Sequence, residues 1–95
     1  FMQTIFELDG LIDISTFKQA WQVLSNHHAI LRTGFIWKDI QVPLQYVLES
    51  VEIPFAIEDW QGLEEGKISQ KLEVFIQSDR KKGFDLSRPP LCRLT

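Results

Sequence analysis

Among the 95 residues, two histidines and one cysteine are the side chains best suited to move a proton near neutral pH, bind a soft metal or attack a carbonyl. Two histidines stand side by side in "SNHHAILRTGF", Ser25 to Phe35, and Arg32 follows the second by four residues. The one cysteine is Cys92. Adjacent residues of a helix point about 100° apart, so His27 and His28 do not converge on one ion. A helical zinc pair needs histidines four apart and further ligands, and the sequence holds no third histidine. As a general base, His28 would have to be open to substrate. On a helical wheel it lies about 40° from Leu24, inside an apolar stripe, so a packed core histidine is expected instead. Cys92 as a nucleophile needs a neighbouring base or cation, and a small buried hydrophobe is the reading its surroundings favour. The five glycines are scattered and form no phosphate-cradling G-x-x-x-x-G-K. No catalytic, cofactor-binding or metal site is therefore expected within these residues. Arg32 is different. It falls between an apolar helix and an apolar strand, where a charge must reach solvent or be paired. Asp9, Asp13 and Asp39 are more naturally used in turns and caps. Either the arginine snorkels to water, or its partner lies outside these residues.

The elements that must position these groups follow from periodicity. Asp13 is placed to cap a helix by accepting an unpaired N–H of its first turn. From there Ile14, Phe17, Trp21, Leu24, His28 and Leu31 recur at three- and four-residue steps, with Lys18, Gln19 and Gln22 outside the stripe. The spacing predicts a helix from about Ile14 to His28. Before it, Met2–Leu8 alternates and ends in the turn signal Asp9-Gly10, which predicts a strand. After it, "RTGFIW" and "LQYVLE" are rich in β-formers and predict two more strands. Pro54 cannot donate to a ladder, so "SVEIPFAIEDWQG" reads as an edge strand or extended connection. A second helix is expected from about Leu63 to Lys82. Its inner stripe is Ile68, Leu72, Phe75 and Ile76, and Gly83 supplies the closing residue. "PPLCRLT" restarts an extended run. The resulting order is β-α-β-β-α-β. A mixed sheet with both helices packed on one face would bury both stripes, an α+β architecture.

Composition narrows the partners. A net charge of −3 argues against a nucleic-acid surface. The one basic cluster, Arg80-Lys81-Lys82, sits at a predicted helix end, where it complements the dipole. No apolar run approaches the ~20 residues of a membrane span, and no basic start leads into a signal-like stretch. A lone cysteine fits a reducing compartment, so a cytoplasmic location is expected. A chain of this size can bury somewhat over 60% of its unfolded surface, enough for one core. It opens on Phe1 and stops within "PLCRLT", which suggests a piece of a longer polypeptide.

Three stretches then acquire a common meaning. "HHAILRTGF" resembles the R-H-E-x-L-R-T-x-F signature of nonribosomal peptide synthetase condensation domains through His28, Leu31, Arg32, Thr33 and Phe35. "VPLQYV" resembles the family's x-P-x-Q-x-V strand through Pro43, Gln45 and Val47. "GFDLSRPPLCR" resembles P-F-D-L-S-x-x-P-L-x-R through Phe84, Asp85, Leu86, Ser87, Pro90, Leu91 and Arg93. His27 replaces the usual Arg, Ala29 the usual Glu, and Gly83 the usual Pro. The resemblance covers nearly the whole chain, and the chain would be the incomplete N-terminal lobe, residues 1–95, of such a domain.

The resemblance implies a two-lobed, chloramphenicol-acetyltransferase-like fold. Carrier proteins would bring phosphopantetheine-linked acyl and aminoacyl thioesters to it for amide-bond formation. It also implies that His28, Leu31, Arg32, Thr33, Phe35 and Asp85 are structural. The family's catalytic H-H-x-x-x-D-G is absent, and His27-His28, followed by Ala29-Ile30-Leu31, is not that signature. Its missing aspartate is the implied partner of Arg32. The parent domain would be an enzyme and this segment alone inactive, with self-association through exposed edges expected. The alternative is a self-contained α+β protein-interaction module that uses its acidic surface with Trp21, Trp37 and Trp60.

Overall fold

The computed structural model describes residues 1–95. In chain order it contains α1 (Ile14–His27), a 3-10 turn (Ala29–Arg32), β1 (Thr33–Ile36), β2 (Leu44–Val47) and α2 (Glu65–Lys82). The chain divides into two compact units. The larger comprises Gly10–Ala56 with Phe84–Thr95, and the smaller Phe1–Asp9 with Ile57–Gly83.

In the larger unit, α1 starts where its cap was expected. The Asp13 Oδ1 accepts the Thr16 N–H at 3.1 Å, satisfying one of the donors a first helical turn leaves unpaired. The helix ends at His27, because His28 turns extended (φ −114°, ψ 104°) while its N–H still reaches the Leu24 carbonyl. One 3-10 turn, closed by the Leu31 N–H on the His28 carbonyl at 3.0 Å, redirects the chain into β1. β1 pairs antiparallel with β2 in the register Thr33↔Val47, Gly34↔Tyr46, Phe35↔Gln45 and Ile36↔Leu44. The Leu48 N–H on the Arg32 carbonyl at 2.8 Å extends the ladder by one bond. Beyond β2 the chain turns inward, and Val51 and Ile53 are the buried hydrophobic residues. Phe55 meets Phe17 edge-on at 5.9 Å between ring centroids. Pro54, which has no N–H, offers its carbonyl to Leu94, and the Ala56 N–H answers on the Leu94 carbonyl, each at 2.9 Å. These bonds form a single parallel bridge between Phe55 and Leu94.

In the smaller unit, Ile68, Leu72, Phe75 and Ile76 form the half-buried side of α2, the stripe read from the sequence. Gly83 ends the helix at φ 55°, ψ −152°, a backbone region that only glycine enters readily. Arg80, Lys81 and Lys82 occupy the last turn, where cations face the negative end of the dipole.

Two expectations are corrected. Met2–Leu8 forms no strand. Its hold on the smaller unit comes instead from Gln3. The Gln3 amide donates to the Ile76 carbonyl at 3.3 Å and to Asp79 Oδ2 at 2.9 Å, and its own oxygen accepts from Arg80 Nε at 3.2 Å. An alternating sequence becomes a strand only beside a partner strand, and residues 2–8 have none. "PPLCRLT" likewise makes one bridge rather than a strand. The expected β-α-β-β-α-β order is therefore α-β-β-α here, and the mixed sheet is a two-stranded antiparallel ladder. The α+β character holds. No helix is long and apolar enough to cross a membrane.

Candidate functional site

Leu31, Arg32, Thr33 and Phe35 lie in β1 and the turn that leads into it. Arg32 ends the 3-10 turn and is half-buried. Its Nε donates to the Ser25 carbonyl at 2.8 Å, and its Nη1 to the Leu48 carbonyl at 2.6 Å and the Glu49 carbonyl at 3.3 Å. Ser25 lies in the last turn of α1, where carbonyls lack intrahelical donors, so the guanidinium both fills that vacancy and meets the negative end of the helix dipole. The arginine thus joins the end of α1 to the exit of β2 through charge-assisted bonds to neutral carbonyls. The partners are the carbonyls of Ser25, Leu48 and Glu49, while Asp13 caps α1. Held by three carbonyls of these residues, the half-buried Arg32 is anchored here, and removing it carries a cost.

Neither histidine is buried. His27 is the last helical residue and His28 the extended cap, and both are exposed. The core position expected for His28 assumed that the helix continued through it. The helix stops one residue earlier, and the stripe it would have joined is itself open, with Leu24 40% exposed. The two imidazoles have no nucleophile, third ligand or paired carboxylate arranged with them, and no group of three or more His, Cys, Asp or Glu residues is placed to hold a metal ion. Leu31 is half-buried. Thr33 is buried, its hydroxyl donating to the Ala29 carbonyl at 2.8 Å across the 3-10 turn.

Gly34 is the point where all three motif stretches meet. It is buried in β1 opposite Tyr46 of β2. A Cβ placed on Gly34 would fall 2.7 Å from Tyr46 Cζ, 2.8 Å from Tyr46 Oη and 2.8 Å from Pro89 Cδ. The tyrosine ring therefore occupies the space a side chain would fill, and its hydroxyl donates to the Ser87 carbonyl. One residue on, the Phe35 N–H donates to the Leu86 carbonyl at 2.8 Å. The Phe35 ring remains exposed.

The stretch after Gly83 is shaped by Asp85. Its Oδ1 accepts from the Ser87 N–H at 3.0 Å and from the Ser87 hydroxyl at 2.6 Å, while the Arg88 N–H bonds its carbonyl at 2.9 Å. Arg88 Nε stands 3.6 Å from Oδ2. The Ser87 hydroxyl, then the Ser87 N–H, then the Arg88 charge hold the carboxyl below its usual range. Asp85 is thus a turn-forming carboxylate, ionised at neutral pH, and not a proton donor. Burial pushes the Cys92 thiol up, away from the thiolate that nucleophilic chemistry needs.

Two contributors were missed in the sequence. Ser25 is fully buried, donating to the Gln22 carbonyl at 2.8 Å. The Gln22 amide reaches the Val51 carbonyl at 2.9 Å and ties α1 to the connection after β2. Gln22 lies outside the apolar stripe; its amide also reaches Ser25 Oγ and Asn26 Oδ1 within α1, and the inward turn of residues 51–53 adds the bond that links the helix to the connection. Gly34 and Tyr46 were also passed over. A glycine in a strand is a signal of close approach, and the two-strand register places the tyrosine against it.

Comparison with known proteins bears on these three stretches together. The family model for the condensation domain matches residues 1–95. A linear gramicidin synthase of Brevibacillus parabrevis is 42% identical over 94 residues, which cover 99% of this chain and 1% of that protein. A plipastatin synthase of Bacillus subtilis is 34% identical over 95 residues, 100% of this chain and 4% of that protein. AMB antimetabolite synthetase AmbE of Pseudomonas aeruginosa is 38% identical over 94 residues, 95% of this chain and 4% of that protein. The chain thus spans only a few hundredths of the length of these relatives.

Proposed function

The chain belongs to the condensation-domain family, and from that premise we propose that it is the N-terminal segment of a nonribosomal peptide synthetase condensation domain. The whole domain joins acyl and aminoacyl groups carried as thioesters on the phosphopantetheine arms of carrier proteins. An amine attacks the thioester carbonyl, the C–S bond breaks, the thiol departs and the amine loses a proton. The observation that carries this reading is the meeting of the three motif stretches at Gly34. Segments matching one family's motifs, 41 residues apart between Tyr46 and Ser87, pack as one unit.

Within that reading the segment is scaffold. A general base must come within hydrogen-bond reach of the proton it removes, and no such base is arranged with a second catalytic group among these residues. His28 lies exposed at a helix end. The catalytic H-H-x-x-x-D-G belongs to residues beyond this segment, on the chloramphenicol-acetyltransferase-like fold that the family resemblance implies, and its aspartate is the charged partner of Arg32. His28, Leu31, Arg32, Thr33, Phe35 and Asp85 are then structural, the reaction is ordinary condensation, and the protein works in the cytoplasm.

The test uses two carrier proteins loaded with donor and acceptor thioesters. The 95-residue protein should form no dipeptide, whereas the chain continued through H-H-x-x-x-D-G and the remainder of the domain should. Dipeptide formation by the pure 95-residue protein, abolished by His28→Ala, would overturn the assignment of this segment as scaffold. Failure of the completed domain with every loaded pair would count against condensation itself.

A further inference from the structure

We draw no further inference here: the strongest candidate, the open groove along α2 lined by Trp60, Leu63, Lys67, Lys71, Val74 and Phe75, is an exposed apolar strip with a cationic rim, and nothing in the structure shows what covers it.

Discussion

Gly34→Ala is expected to destabilise the chain through one identifiable neighbour. Alanine is ordinarily the better residue at such a place, since glycine costs roughly 0.5–1 kcal/mol inside a strand. Here the added methyl would meet Tyr46 Cζ at 2.7 Å and Pro89 Cδ at 2.8 Å, closer than carbon atoms tolerate. Relief requires the tyrosine ring to swing away, which breaks its hydroxyl bond to Ser87. Overpacking typically costs about 1–3 kcal/mol, and a lost hydrogen bond about 0.5–1.5 kcal/mol. After the propensity gain, a net loss of roughly 1–4 kcal/mol is expected. The measurement is a double-mutant cycle by urea denaturation, with Gly34→Ala in the parent and in a Tyr46→Ala background. Removing the ring clears two of the three close contacts, so the same substitution should cost less there, a coupling of roughly 0.5–3 kcal/mol. Equal losses in both backgrounds would refute the reasoning and place the strain at Pro89 or in the backbone.

Other outcomes follow from single observations. Arg32→Ala should cost about 1–3 kcal/mol in this chain through loss of its charge-assisted bonds to carbonyls. It should cost more in the completed domain if an aspartate is also stranded, and equal denaturant-midpoint losses in both would contradict that partner. Asp85 has a folded-state pKa below its ordinary value of 3.8, so its contribution to stability is present above about pH 4 and fades as pH falls through the lower folded value. Asp85→Asn should therefore lie below the parent in denaturant midpoint at pH 5, with the gap narrowing as the pH falls below about 4, and a constant gap would contradict this. Ile14, Phe17 and Leu24 of α1 remain 43%, 36% and 40% exposed, although full burial of such a side chain is worth about 1.5–3 kcal/mol. The chain should self-associate and bind an apolar dye, and a strict monomer at high concentration without dye binding would contradict that.

What the sequence determined by itself was local. Helix α1 was legible from Asp13 and a 3.6-residue stripe because cap and backbone bonds join residues three or four apart. The stripe of α2 and its end at Gly83 were legible for the same reason, as were β1 and β2, whose β-forming residues stand between turns. The family was legible too, since its motifs are short runs of residue types. The tertiary structure decided everything that needed a distant partner. Met2–Leu8 alternates like a strand, but a ladder requires a second strand, and Gln3 binds α2 instead. His28 was placed in the core by a periodicity that the helix abandons one residue sooner. Arg32 advertised a need for partners without naming them, because carbonyls of Ser25 and Leu48 carry no sequence signature. Gly34 shows the limit most plainly. Its side-chain space is filled by Tyr46 and bounded by Pro89, and residues that far apart in the chain meet only when the whole backbone brings them together.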